Sequence, residues 1–180
     1  MNLKGSKTEK NLYRTFAGES RARNKYTLYA ERAKKEGYRK VAEVFDITAE
    51  NELAHARKVY GDFLNIICST KENLMDAICG ETEEANDIYA KFEKEAREEG
   101  FTEIADFYKE LREVEEEHAK RFKKLYDDIE NGTMFSGSKD SKWVCMNCGY
   151  IYEGANAPIK CPLCSYPREY FKAYCESNDA

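Results

Sequence analysis

The chain has 180 residues, a net charge of -5 and a charged fraction of 35%, which suits one ordinary domain with a small appendage. The acidic balance, with no basic stripe, argues against nucleic-acid binding, and no run of about 18 apolar residues marks a membrane span. The charged opening MNLKGSKTEK has no apolar stretch behind it, so the expected location is cytoplasmic.

The first 130 residues lack proline and are rich in Ala, Glu, Lys and Arg, a composition that permits long uninterrupted helices. The pattern predicts helices over residues 7–35, 38–65, 73–98 and 101–130. They form two hairpins, because AGESRARNKYTLYAERAKKEGYRKVAEVFDITAENELAHARK repeats as CGETEEANDIYAKFEKEAREEGFTEIADFYKELREVEEEHAKR. In each copy a Gly-aromatic pair, Gly37-Tyr38 or Gly100-Phe101, marks the turn, and the glycine precedes the glutamate of a Glu-x-x-His unit by 15 residues.

Those units hold both histidines of the chain, His55 and His118. In the fourth helix Ile104, Tyr108, Leu111, Glu115, His118, Phe122, Leu125 and Ile129 recur at steps of four and three, one helical stripe. The second helix repeats this with Val41, Phe45, Thr48, Glu52, His55 and Val59. Glu81 and Glu84 fall on the stripe of the third helix, and Glu19 shares a face with Leu12, Phe16 and Tyr26 in the first. Inward-facing carboxylates without a counter-charge would cost several kcal/mol each. Arg23 neutralises one at most, so metal is the expected counter-ion. A Glu from each of two helices plus Glu-x-x-His from each of the other two is the ligand pattern of ferritin-like two-metal bundles, suited to iron or manganese.

Residues 131–141, NGTMFSGSKDS, read as a helix end and a flexible connection. The expected organisation is therefore a four-helix bundle over residues 1–138 and a small metal domain over 139–180. All three prolines and the only tryptophan lie in the tail, which carries Cys145, Cys148, Cys161 and Cys164 as two CxxC pairs. Four thiolates at this spacing make a tetrahedral site for zinc or one iron, and the metal would supply folding energy that so short a domain lacks. Cys68, Cys79 and Cys175 are expected to be buried free thiols.

The repeat carrying AGES, ENELAH, GETEE and EEEH, followed by CMNCGY and CPLC, resembles the rubrerythrin family along essentially the whole chain. The resemblance implies a mainly α fold, a ferritin-like di-iron four-helix bundle followed by a rubredoxin-like one-iron domain. It also implies reduction of hydrogen peroxide to water in oxidative-stress defence, with ferroxidase or iron-handling activity as the alternative. By the same resemblance Glu19, Glu52, Glu81, Glu84, Glu115 and His118 match the di-iron ligands, and Glu52 and Glu115 match the bridging pair. His55 matches a ligand exchanged for Glu84 on oxidation. Tyr26 and Tyr89 match tyrosines that hydrogen-bond ligand carboxylates, and the four paired cysteines match the rubredoxin iron ligands. The implied electron donor is reduced rubredoxin or an NAD(P)H-dependent reductase, and the implied assembly is a homodimer or larger.

Overall fold

A computed structural model of the chain describes residues 3–174. It divides into two compact units, Met1–Ser69 and Thr70–Ala180. Among the described residues no helix is long and apolar enough to cross a membrane.

The first unit is a hairpin of α1 (Lys7–Lys35) and α2 (Arg39–Arg57), the latter continued by one π-helical stretch, Lys58–Phe63. Helix α1 starts where Ser6 caps it, its hydroxyl accepting from Glu9 N at 3.0 Å, while the Glu9 carboxylate reaches back to Gly5 N at 2.5 Å. It stops at Gly37, whose φ of +86° is left-handed, with Tyr38 N bonded to Ala33 O at 2.9 Å and Gly37 N to Lys34 O at 3.2 Å. This pairing satisfies the last carbonyls and reverses the chain. The two helices approach closely because Ala30, Ala33 and Ala42 are fully or nearly buried between them, with Phe45 packed alongside.

The second unit opens with α3 (Thr70–Glu83), a π-helical turn at Glu84–Ile88, and α4 (Tyr89–Glu98), in one continuous rod, followed by α5 (Thr102–Glu130). Gly100 repeats the turn of Gly37: its φ is +86°, Phe101 N bonds Ala96 O at 2.8 Å and Gly100 N bonds Arg97 O at 3.2 Å. The predicted third helix thus begins three residues earlier than expected, at Thr70, and is interrupted rather than regular.

The tail forms a three-stranded antiparallel sheet in the order β2-β1-β3, from β1 (Lys142–Cys145), β2 (Ile151–Glu153) and β3 (Phe171–Ala173). Trp143, Cys145, Ala157, Cys161 and Phe171 make its core, and Trp143 Nε1 donates to Gly154 O at 2.9 Å. The connection expected to be flexible over residues 131–141 is partly held instead. Phe135 packs on this core, Gly137 N donates to Ala155 O at 2.6 Å, and Ala157 N donates to Phe135 O at 2.9 Å.

Two further expectations fail. Cys68 and Cys79 are exposed, not buried: Cys68 lies in the segment between helices, and Cys79 lies two residues before Glu81, hence roughly 200° away round the helix. Cys175 lies outside the described residues. The stripes are also covered unevenly. Glu115 is buried and Val59 nearly so, but Val41 and Ile104 are each 48% exposed and Leu125 and Ile129 are each 37% exposed.

Candidate metal centres

Each hairpin gathers one Glu-Glu-His set. In the first unit, His55 Nδ1 lies 2.9 Å from Glu52 Oε2 and 3.4 Å from Glu19 Oε2. In the second, His118 Nδ1 lies 2.8 Å from Glu115 Oε2 and 3.4 Å from Glu81 Oε2. The spacing of three places Glu and His on one helical face, and the neighbouring helix supplies the remaining carboxylate. In both sets one donor atom from each residue lies within 4.8 Å of the others.

The electrostatics of both sets point to a missing cation. The Glu19 carboxyl is held above the usual carboxylate range, chiefly by its hydrogen bond to Glu52 and then by burial. Glu52 is held below that range by Glu19 and His55, and His55 is pushed up by Glu52 and then Glu19. Burial, followed by the hydrogen bond to Glu115, raises Glu81. Clustered carboxylates hold protons that a divalent cation would displace. Arg23 does not serve as that cation: it lines a separate cavity with Phe16, Arg57 and Tyr60, and its Nε is buried without a hydrogen-bond partner.

The other expected site residues stand around these sets. Tyr89 Oη donates to Glu84 Oε2 at 3.1 Å, and burial, then Glu84, raises the phenol so that it keeps its proton. Glu84 lies outside the Glu81-Glu115-His118 set. Tyr26 occupies the place of Tyr89 in the other hairpin, and the aromatic surroundings repeat closely. Tyr26 lies 6.0 Å from Phe45 at 27°, and Tyr89 lies 5.9 Å from Tyr108 at 25°.

Two features were not anticipated from the sequence. The first is the π-helical turn at Glu84–Ile88. From Glu19 to Gly37 is 18 residues, and from Glu81 to Gly100 is 19. The π turn absorbs that one extra residue, so Glu81 faces Glu115 as Glu19 faces Glu52 while Tyr89 still stacks as Tyr26 does. The second is Arg112, whose Nε donates to Ala85 O at 2.7 Å, inside the π turn, and whose Nη1 donates to Glu93 at 3.1 Å. A count along the two copies would have found the first. Nothing in the sequence singles out Arg112 among the charged residues of its helix.

In the tail, the Sγ atoms of Cys145 and Cys164, and those of Cys148 and Cys161, are 3.7 Å apart. A metal-sulfur bond of about 2.3 Å gives a tetrahedral edge of about 3.8 Å, so the cage has the size of a four-thiolate metal site. Each CxxC loop closes through a left-handed residue, Gly149 at φ +75° and Ser165 at φ +64°, whose N–H returns to Cys145 O at 2.8 Å and Cys161 O at 2.9 Å respectively. The backbone hydrogen bond at Tyr150 lowers Cys148, but burial and the other three thiols outweigh it and push Cys148 up to about 12. Cys164 is drawn down to about 6, first by the backbone hydrogen bond at Tyr166 and also by Asn147 and neighbouring thiols, against burial. This cage is therefore poised to start losing protons to a thiophilic metal at Cys164.

Paired carboxylate-imidazole sets on helical hairpins and a four-cysteine sheet define a ferritin-like iron protein with a rubredoxin-like tail. The family model described as rubrerythrin matches residues 10–66, 57–126 and 72–145, and that of the rubrerythrin rubredoxin-like domain matches residues 143–172. A rubrerythrin of Porphyromonas gingivalis is 44% identical, over 95% of this chain and 92% of its own. Rubrerythrin-1 of Clostridium acetobutylicum is 40% identical over 98% of each, and a rubrerythrin of Nitratidesulfovibrio vulgaris is 39% identical over 95% of this chain and 96% of its own. The chain belongs to the rubrerythrin family. Its cofactors are accordingly iron: a di-iron carboxylate site and one iron at Cys145, Cys148, Cys161 and Cys164.

Proposed function

We propose that this protein is a cytoplasmic peroxidase that reduces hydrogen peroxide to two waters with two electrons and two protons. The observation that carries this is the presence, in one chain, of two Glu-Glu-His sets and a four-thiolate cage. Storage or simple ferroxidation has no use for a dedicated one-electron centre, whereas repeated turnover of a two-electron site does.

When bound, the iron pair supplies the two electrons and the Lewis acidity for O–O cleavage. Glu19, Glu52, Glu81, Glu115 and His118 hold it, and the carboxylates offset its charge. Glu84 and His55 are the exchangeable pair. Glu84 stands outside its three-residue set, tethered by Tyr89, and the His55 side chain is 61% exposed, so neither is locked in place. A neutral imidazole suits the reduced centre, and the extra negative charge of Glu84 suits the oxidised one. The proton kept on Tyr89 Oη steadies Glu84 whenever Glu84 is not a ligand, and Tyr26 takes the corresponding place in the first hairpin. Cys145, Cys148, Cys161 and Cys164 hold the iron that returns electrons singly. Reduced rubredoxin or an NAD(P)H-dependent reductase is the proposed donor.

Cys161→Ser tests the relay. Sustained peroxide reduction with an external donor is expected to stop, while the pre-reduced bundle still completes one stoichiometric turnover. Undiminished steady-state turnover would defeat the assignment.

A further inference from the structure

The segment joining the two hairpins is too short for the bundle it would have to close. Between Phe63, where the first hairpin ends, and Thr70, where α3 begins, lie six residues, Leu64–Ser69. Fully extended, they and their flanking bonds span about 25 Å at most. The segment is not free to extend. Leu64 N bonds Val59 O at 2.9 Å and Ile66 N bonds Tyr60 O at 3.2 Å, folding its first half back on the helix it leaves.

The required span follows from the positions of the ligands. Glu52 lies 11 residues before Phe63, and Glu81 lies 11 residues after Thr70. At 1.5 Å per residue each stretch is about 16 Å long. A ferritin-like bundle contains one long crossover connection. Gly37 and Gly100 make tight turns between neighbouring helices, so the crossover has to be Leu64–Ser69. Bringing Glu52 level with Glu81 in that topology needs an axial run of about 33 Å, beyond what the segment reaches.

Each hairpin is also unfinished on the face that carries its ligands. Val41 and Ile104 precede Glu52 and Glu115 by 11 residues, which puts them within about 20° of those glutamates round their helices. Both are 48% exposed. Each hairpin offers three metal donors, half of what a two-metal site takes.

We propose that two copies of this chain exchange hairpins, so that each di-iron centre takes Glu19, Glu52 and His55 from one copy and Glu81, Glu84, Glu115 and His118 from the other. Reciprocal exchange closes as a two-fold dimer with two complete centres, and it asks nothing of Leu64–Ser69 beyond its actual reach. The proposal rests on the ferritin-like di-iron reading but not on peroxide reduction, so its test reads metal content alone.

The test is pairing of differently tagged chains by co-expression, isolation of the mixed dimer through both tags, and a count of iron beyond that held by the four-thiolate centres. Glu52→Ala paired with Glu115→Ala is expected to restore one intact centre per dimer, about half the wild-type bundle iron, where each variant alone holds far less. No restoration would overturn the proposal. The reciprocal pairing, wild type with the double variant Glu52→Ala/Glu115→Ala, guards against a folding artefact because its expected result is the opposite. Both centres are then damaged and bundle iron is lost, whereas retention of half would show each chain building its own centre. A wild-type monomer in solution with full bundle iron would also overturn it. If the chain bound no bundle iron in any form, the di-iron reading itself would fall, a result distinct from all of these.

Discussion

At the scale of single residues, the ligands were legible because their chemistry forces a spacing. Glu52-His55 and Glu115-His118 are readable as Glu-x-x-His since only residues three apart on a helix present both groups to one ion, and CxxC is readable for the corresponding reason in a turn. Arg112 was not legible because its partner is a backbone carbonyl, Ala85 O, exposed by a local irregularity that sequence periodicity does not reveal. Its second partner, Glu93, accepts from Arg97 and Arg112 and is held below the ordinary carboxylate range, chiefly by Arg97. A carboxyl depressed in the folded state stabilises it above the unfolded-state value, and that stability is lost as pH falls through the folded value. Glu93→Gln is therefore expected to weaken the protein at neutral pH and to flatten its loss of stability in acid, measured by denaturant unfolding across the pH range. An unchanged acid limb would contradict the role given to Glu93.

At the scale of elements, four helices, two glycine turns and the repeat followed from composition and the distance between Gly and Glu-x-x-His. Their limits moved by only a few residues. The interruption of the third helix did not follow, because the comparison of copies ran forward from each glycine, whereas the extra residue lies behind Gly100. The π turn at Glu84–Ile88 keeps Glu81 in register with Glu115 despite that residue. Deleting Asn86 is expected to restore α-helical winding and rotate Glu81 by about 100° relative to α4. Bundle iron per chain, measured by metal analysis, is expected to fall by at least half with helical content unchanged; full retention would contradict the register argument. Partial exposure of the stripes was equally hidden. Periodicity says which face is apolar, not whether the same chain covers it, and Val41 and Ile104 show the difference.

At the scale of the whole molecule, the order of modules was legible from where proline, tryptophan and cysteine fall, since a helical region excludes the first and a metal-folded tail requires the last. The connection Leu64–Ser69 carried information that composition did not: its length, set against helix rise, decides which hairpins can meet. The most direct test of the central claim is to mix fully reduced protein with limiting hydrogen peroxide under anaerobic conditions, following peroxide and the visible absorption of the ferric four-thiolate centre together. The account predicts that peroxide disappears at one molecule per two electrons while that absorption rises as the tail re-reduces the bundle. Peroxide that persists, or peroxide consumed while the four-thiolate centre stays reduced, would contradict it.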